Sequence, residues 1–407
     1  MIVSGNTETS TGRPAAGARP VIALIGNDDF SMFHFRAGII AKAIALGYEP
    51  VTLVPDGPYV PRLREIGARV EIINIQRFIS PLSDIRLTFD LARRLRSMRP
   101  VVVHNMTIKP NIFGTFAAKL AGVKRVVGLV AGAGYIFSRS ESARDALMKT
   151  VARGLYTAAM MLIDRVWFQN KDDLQEFAER GVIARRKGIV IPGSGVNVDK
   201  FSPTAVPKES VDELRRELGV PPGNHCVVLI AARMIWSKGI AEFLAAARAH
   251  QDLSNWSFVL LAPQDAGTYD AVDPAAYYDA KLPNLFVVDT FRNDVWRFVA
   301  LADISVLPSF YREGVPRSMI EAMAMGKPLV AADSIGTRDV IIDDQNGILV
   351  PPKDPAAFTE ALGKLMDDDA LRAQMGAKSR EFALRYFDER VVVERVYSEL
   401  YGLSAAH

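Results

Sequence analysis

The chain has 407 residues, 49% hydrophobic and 23% charged, enough material for two packed cores of roughly 200 residues each. Its 49 Lys and Arg against 46 Asp and Glu leave a formal charge of +3, spread along the chain. That balance excludes a disordered polyelectrolyte and a generic nucleic-acid binder. The single cysteine, Cys226, excludes an intramolecular disulfide and a cysteine-built zinc site, and beside Val227 it reads as the entry to a buried strand.

Residues 1–19 are polar and rich in Gly, Ser, Thr, Ala and Pro, the composition of a disordered tail. No window approaches the ~18 consecutive apolar residues of a membrane span. The expected location is therefore cytoplasmic, with peripheral contact to the inner membrane face left open. From residue 20, apolar runs at 21–25, 51–54, 70–73, 101–103 and 126–129 alternate with helix-period stretches at 35–46, 84–98 and 111–121. A long helix over 141–163 follows, then a strand at 166–168, a helix at 171–180 and a strand at 189–191. Strand–helix alternation of this kind makes a parallel sheet covered on both faces. Residues 20–195 are thus expected to form one domain. Pro203, Pro207, Pro221 and Pro222 mark 196–224 as a linker.

The pattern then restarts. Strands are expected at 227–231, 257–261, 285–288, 304–307, 328–331 and 348–350, within a second domain over 225–385. Helices near 355–367, 369–386 and 388–403 close the chain, with 386–407 expected to cross back to the first domain. Two doubly wound sheets place their ligand crevices at the carboxyl ends of their strands.

The segment from Ser309 to Gly326 carries the most chemistry. After the strand ending at Leu307, a loop holds Glu313 and Gly314, Pro316 suits a helix start, and Gly326 suits the position past its end. A helix beginning at the carboxyl end of a parallel strand aims free N–H groups into the crevice and binds phosphate. On one continuous helix Glu313 and Glu321 would be about 12 Å apart. That is beyond the ~5 Å or ~6.5–9.5 Å of glycosidase carboxylate pairs, so they read as binding groups with separate roles. Arg233 and Lys238 lie at the turn after the second domain's first strand, where two cations and a helix end can clasp a diphosphate. Taken alone, each cation is an ordinary surface residue, and the segment around Glu321 an amphipathic helix with one solvated Glu.

Arg233-x4-Lys238-Gly239 followed by Glu313-x7-Glu321 resembles the signature of the family-4 retaining glycosyltransferases, over residues 20 to 400. The resemblance implies an α/β GT-B fold: two facing Rossmann-like domains and a C-terminal helical segment. It implies that Arg233 and Lys238 hold the donor diphosphate, and Glu321 the ribose hydroxyls. Glu313 and the backbone of Gly314, Val315 and Pro316 would hold the donor sugar. His104-Asn-Met-Thr107-Ile-Lys109, Gly134-Tyr-Ile-Phe137 and Tyr311-Arg-Glu-Gly resemble a bacterial subgroup that extends lipid-diphosphate-linked oligosaccharides, N-acetylgalactosaminyltransferases among them. It implies an acceptor side formed by Asn27, His104, Thr107 and Lys109, and catalytic roles for Glu313, Arg233, Lys238 and His104. Asp303 and Ser309 also fit the pattern. Two departures stand out: the first loop reads Gly26-Asn27-Asp28-Asp29-Phe30 without adjacent glycines, and the turn after the second domain's second strand reads Ala262-Pro263-Gln264-Asp265.

The expected reaction moves a hexose or N-acetylhexosamine from a nucleoside diphosphate sugar, UDP by expectation, to a polyprenyl-diphosphate-linked or other nascent glycan, with retention. No nucleic acid, cofactor or metal is expected. Asp367-Asp-Asp369 formally matches a metal motif but sits where Asp caps helices. The rivals are a nucleotide-sugar 2-epimerase and a non-catalytic sugar-nucleotide-binding partner of a polysaccharide assembly complex. The stretch 143–165 and the helix bearing Arg93, Arg94, Arg96 and Arg99 are candidate contacts to an anionic membrane.

Overall fold

The computed structural model describes residues 19–76, 80–132, 143–223, 225–265, 267–268, 270–342 and 344–403. The expected tail up to residue 18, the segment Gly134–Phe137 and His407 lie outside the described residues. So do the side chains of 143–147 and 149 at the start of the long helix.

Among the described residues the strands form two parallel sheets. One contains β1 (Val21–Ile25), β2 (Glu49–Val54), β3 (Arg69–Ile72), β4 (Val102–Met106), β5 (Arg125–Val130), β6 (Arg165–Phe168) and β7 (Gly188–Val190), in the order β3-β2-β1-β4-β5-β6-β7. The other contains β8 (Cys226–Ala231), β9 (Trp256–Leu261), β10 (Leu285–Val288), β11 (Ile304–Leu307), β12 (Leu329–Ala332) and β13 (Gly347–Val350), in the order β10-β9-β8-β11-β12-β13. Both orders reverse beside the first strand, as in doubly wound folds. β1, β4, β9, β11 and β12 are buried along their whole length, which is why β1 and β12 read as unbroken apolar runs and not as alternating ones.

By packing, the chain divides into two compact units, one ending at Val126 and the other starting at Val127. In the first, β1 pairs with β2 and β4, with Leu24 opposite His104 and Ile25 opposite Asn105. Asp28 accepts the Ser31 N–H at 2.6 Å and so caps the helix Asp29–Ala45. A short helix, Val60–Glu65, had no clear sequence signal. The expected 111–121 helix opens as a π turn, Pro110–Gly114, before the α-helix Thr115–Leu120.

In the second unit, Phe243, Phe258, Phe298, Phe358 and Phe387 are fully buried in one core. The expected linker 196–224 proves to be part of this core. Val196, Val198 and Phe201 are buried, and Lys208–Leu218 is an amphipathic helix packed through Leu214 beside the helix Val295–Leu301. Arg380 fastens the stretch by donating to the carbonyls of Val198, Phe201 and Ala324 at 3.0, 3.0 and 2.6 Å. Prolines flanking a helix punctuate a sequence as loudly as a loop does, which conceals the helix between them. At the chain's end Arg395 Nη2 donates to the Val190 carbonyl of β7 at 3.0 Å.

Candidate functional site

The carboxyl end of β8 leads through Arg233 into a 3-10 turn, Trp236–Lys238, and then the helix Ile240–Ala249. Gly239 joins the two at φ 82°, with Pro308 O so close that a Cβ would not fit. The turn is stitched from both sides. Asp270 Oδ2 accepts the Ser237 N–H at 2.9 Å, and the Ser237 carbonyl accepts the N–H groups of Phe310 and Tyr311 at 2.9 and 3.0 Å. Lys238 is thereby fixed beside the loop that follows β11.

In that loop the Glu313 carboxylate takes the Lys238 ammonium at 2.5 Å, and Ser309 Oγ lies 3.4 Å from the same oxygen. Both side chains of the pair are largely buried, Lys238 at 9% and Glu313 at 18% exposure. Arg233 pairs with Asp265 at 3.0 Å and is half exposed. Thus both cations expected to hold a diphosphate are already neutralised by carboxylates from other loops. A cavity of about 330 Å³ opens beside Asp265, lined by Gln264, Ala271, Val272, Asp273 and Pro274.

The backbone after Glu313 is gripped tightly. Gly314 N–H donates to the Ala131 carbonyl at 3.2 Å, and Gln169 Oε1 occupies the place where a Cβ of Gly314 would stand. Asn170 Nδ2 reaches the Glu313 carbonyl at 3.4 Å, while its Oδ1 caps the helix Lys171–Glu179. Arg312 forms ion pairs with Asp173 and Glu176 of that helix. Val315 and Pro316 are buried, and Pro316 is the N-cap of Arg317–Ala324, whose first turn no side chain among the described residues caps. Gly326 follows that helix at φ 71°, as its sequence position suggested. Glu321 accepts from Arg317 Nε at 2.8 Å. Burial pushes its carboxyl pKa up, and the Arg317 charge opposes the rise.

In the first unit, β4 carries His104, fully buried, whose pKa falls to about 3 because burial and then the Arg36 charge disfavour the imidazolium. Thr107 follows the strand at φ 72°, a left-handed conformation costly for a β-branched side chain. Its Oγ1 is buried with no hydrogen-bond partner among the described residues. Lys109 is buried in an ion pair with Asp84 at 2.7 Å, which ties the π turn to the helix Pro81–Met98. Asn27 is exposed in the loop before Asp28.

Several expected groups have plain structural work. Asp303 exchanges hydrogen bonds with the Val227 backbone, Oδ2 accepting and its own N–H donating, both at 2.8 Å. Asp368 caps the helix Asp369–Phe382, and Asp369 pairs with Arg372. Asp265, Arg312, Asp173 and Arg317 were given no role from sequence. Arg312 and Asp173 meet across 139 positions and Asp265 meets Arg233 across 32, which no local pattern announces, whereas Arg317 pairs with Glu321 four positions on along one helix.

Two family models match the chain: Glycosyl transferase 4-like domain over residues 36–193 and Glycosyl transferases group 1 over 211–382. A Campylobacter jejuni N,N'-diacetylbacillosaminyl-diphospho-undecaprenol alpha-1,3-N-acetylgalactosaminyltransferase is 28% identical over 383 residues, 93% of this chain and 98% of that protein. An Escherichia coli UDP-Gal:alpha-D-GlcNAc-diphosphoundecaprenol alpha-1,3-galactosyltransferase is 26% identical, covering 78% and 79% of the two chains. Among solved structures, a glycosyltransferase from Rickettsia africae superposes with a TM-score of 0.78 at 17% identity, over 95% of this chain and all of that one. Anabaena HepE in complex with UDP gives 0.74 at 19%, over 94% of this chain and all of that one. These matches favour neither an epimerase nor a non-catalytic partner: the chain belongs to the family-4 glycosyltransferases with the GT-B fold.

Proposed function

We propose that this glycosyltransferase moves a hexose or N-acetylhexosamine from a UDP-sugar to a polyprenyl-diphosphate-linked glycan, with retention of configuration. The observation that carries the reading is the convergence of Arg233, Lys238 and Glu313 on one strand–helix junction. Support for the substrates comes from the two bacterial relatives, whose names specify undecaprenyl-diphosphate acceptors.

On this reading Arg233 and Lys238 turn from Asp265 and Glu313 to the donor diphosphate and stabilise the charge developing on the leaving group. Preorganised stabilisation of that kind is commonly the largest catalytic contribution. Glu313, released from Lys238, and the fixed backbone of Gly314 to Pro316 hold the sugar, and Glu321 holds the ribose hydroxyls. His104, neutral, and Thr107 and Lys109 shape the acceptor side with Asn27. Retention follows from front-face attack, the leaving phosphate taking the acceptor's proton, so no side chain need act as a covalent nucleophile. With two cations at the diphosphate, no divalent ion is required, and transfer in EDTA at the rate found with Mg²⁺ is the expected result.

A lipid-linked acceptor stays in a bilayer, so we place the chain at the inner face of an anionic membrane. Among the described residues no helix is long and apolar enough to cross one. Instead the helix Pro81–Met98 exposes Leu82, Ile85 and Phe89 by 74, 54 and 64%, with Arg86 and Arg93 exposed on the same face. In the other unit the helix Ala143–Leu162 buries Tyr156, Ala159 and Met160 but leaves Met148, Val151, Leu155, Met161 and Leu162 exposed.

The test is transfer from labelled UDP-hexoses and UDP-N-acetylhexosamines to a polyprenyl-diphosphate-linked monosaccharide, read as label entering the lipid fraction. Label from at least one donor supports the reading. Hydrolysis or epimerisation of the donor without acceptor-dependent transfer contradicts it.

A further inference from the structure

One aromatic ring lies against both donor-site cations. The Arg233 guanidinium carbon is 5.2 Å from the centroid of the Tyr311 ring, and Lys238 Nζ is 5.3 Å from it. Both distances fall inside the ~6 Å within which a ring's negative face attracts a cation. Tyr311 is 38% exposed, so the ring is not core filling.

The ring's position is set by backbone. The N–H groups of Phe310 and Tyr311 and the hydroxyl of Ser309 all donate to the Ser237 carbonyl, at 2.9, 3.0 and 3.1 Å. Tyr311 N–H also reaches Ser309 Oγ at 3.2 Å. The residue bearing the ring is thus bolted to the residue preceding Lys238.

The cations repel each other, and each is drawn to a carboxylate on a different loop, Arg233 to Asp265 and Lys238 to Glu313. A ligand that displaces those carboxylates removes what now orients each cation. The ring is the partner common to both and carries no charge a diphosphate would repel.

We propose that Tyr311 is a positioning residue of the donor site, its ring keeping Arg233 and Lys238 converged so that both reach one diphosphate. The inference rests on the reading of this junction as the diphosphate site. It assigns the phenol hydroxyl no part, which separates it from a direct contact between Tyr311 and the donor.

Calorimetric titration of UDP and of UMP into the wild type, Tyr311→Phe and Tyr311→Leu tests it, with melting temperatures measured alongside. Phe retains the ring face and keeps UDP affinity within about twofold, whereas Leu lowers it on the order of tenfold. UMP, without the second phosphate, loses less. Tyr311→Gln serves in place of Leu should the Leu variant not fold. Undiminished UDP affinity in the ring-less variant overturns the inference, and so does an equal loss in Phe and Leu, which would assign the effect to the hydroxyl. A wild type that binds no UDP overturns the donor-site reading itself, a result distinct from either.

Discussion

Lys238 and Glu313, 75 positions apart, meet at 2.5 Å where the turns after β8 and β11 come together. The pair neutralises charge where little water reaches, and it also holds in reserve the cation that a donor diphosphate would take. An ion pair with this burial is costly to break on one side only, because the other charge is left behind.

Replacing Lys238 by Ala therefore has two effects. UDP affinity falls roughly 10- to 150-fold, the weight of ~1.5–3 kcal/mol for a hydrogen bond to a charged group. The melting temperature also drops, because Glu313 loses its partner. Replacing both residues, Lys238→Met with Glu313→Gln, recovers the melting temperature without recovering UDP binding. Undiminished UDP affinity in the single variant contradicts the role given to Lys238.

Thr107 supplies a separate test, since its backbone at φ 72° suits glycine better than a β-branched residue. Thr107→Gly is expected to stabilise the protein by about 1 kcal/mol through relief of this strain and to lower transfer at unchanged UDP affinity. A melting temperature that falls, or transfer that stays level, removes the link drawn between the strained residue and the acceptor.

His104 makes stability depend on pH with a definite sign. Its folded pKa of about 3 lies below the ordinary value of 6.5, so between the two the unfolded chain binds more protons than the folded one. The contribution is fully present above pH 6.5 and is lost as pH falls toward 3, by about 1.4 kcal/mol for each pH unit crossed. Chemical denaturation of wild type and His104→Gln at pH 7 and pH 5 checks this: the wild type loses more stability than the variant on going to pH 5. Equal losses would show that the imidazole is not held neutral.

Membrane docking is testable through the exposed apolar side chains. The arginines expected to carry it are partly committed elsewhere: Arg94 pairs with Glu71 and Asp90 at 2.9 and 2.8 Å, and Arg96 donates to the Leu120 carbonyl at 2.8 Å. Leu82→Asp with Phe89→Asp is therefore expected to abolish sedimentation with anionic liposomes. Arg86→Glu with Arg93→Glu weakens it by about 1 kcal/mol per lost cation at low salt. Equal recovery of wild type and variants in the supernatant, with active enzyme, would contradict docking through this helix.

What the sequence disclosed was what is local. Buried parallel strands announce themselves as apolar runs, and Pro316 with Gly326 bracketed the helix Arg317–Ala324 to within a residue. The order of Arg233, Lys238, Glu313 and Glu321 was enough to bring out the family. The helix Lys208–Leu218 was hidden by its flanking prolines, although Val211, Leu214 and Leu218 share one face. Lys109 was assigned to the acceptor side by resemblance alone, and Asp84, 25 positions earlier, holds it in a buried pair. The Tyr311 ring and the Asp265 carboxylate likewise matter through neighbours that only the folded chain supplies.

A crystal structure of the enzyme with UDP tests the donor site most directly. The expected result is a diphosphate within hydrogen-bond distance of both Arg233 and Lys238, with the Lys238–Glu313 and Arg233–Asp265 pairs opened from 2.5 and 3.0 Å and the ribose at Glu321. UDP bound elsewhere, or at this junction with both ion pairs intact, would contradict the assignment of these two cations to the donor.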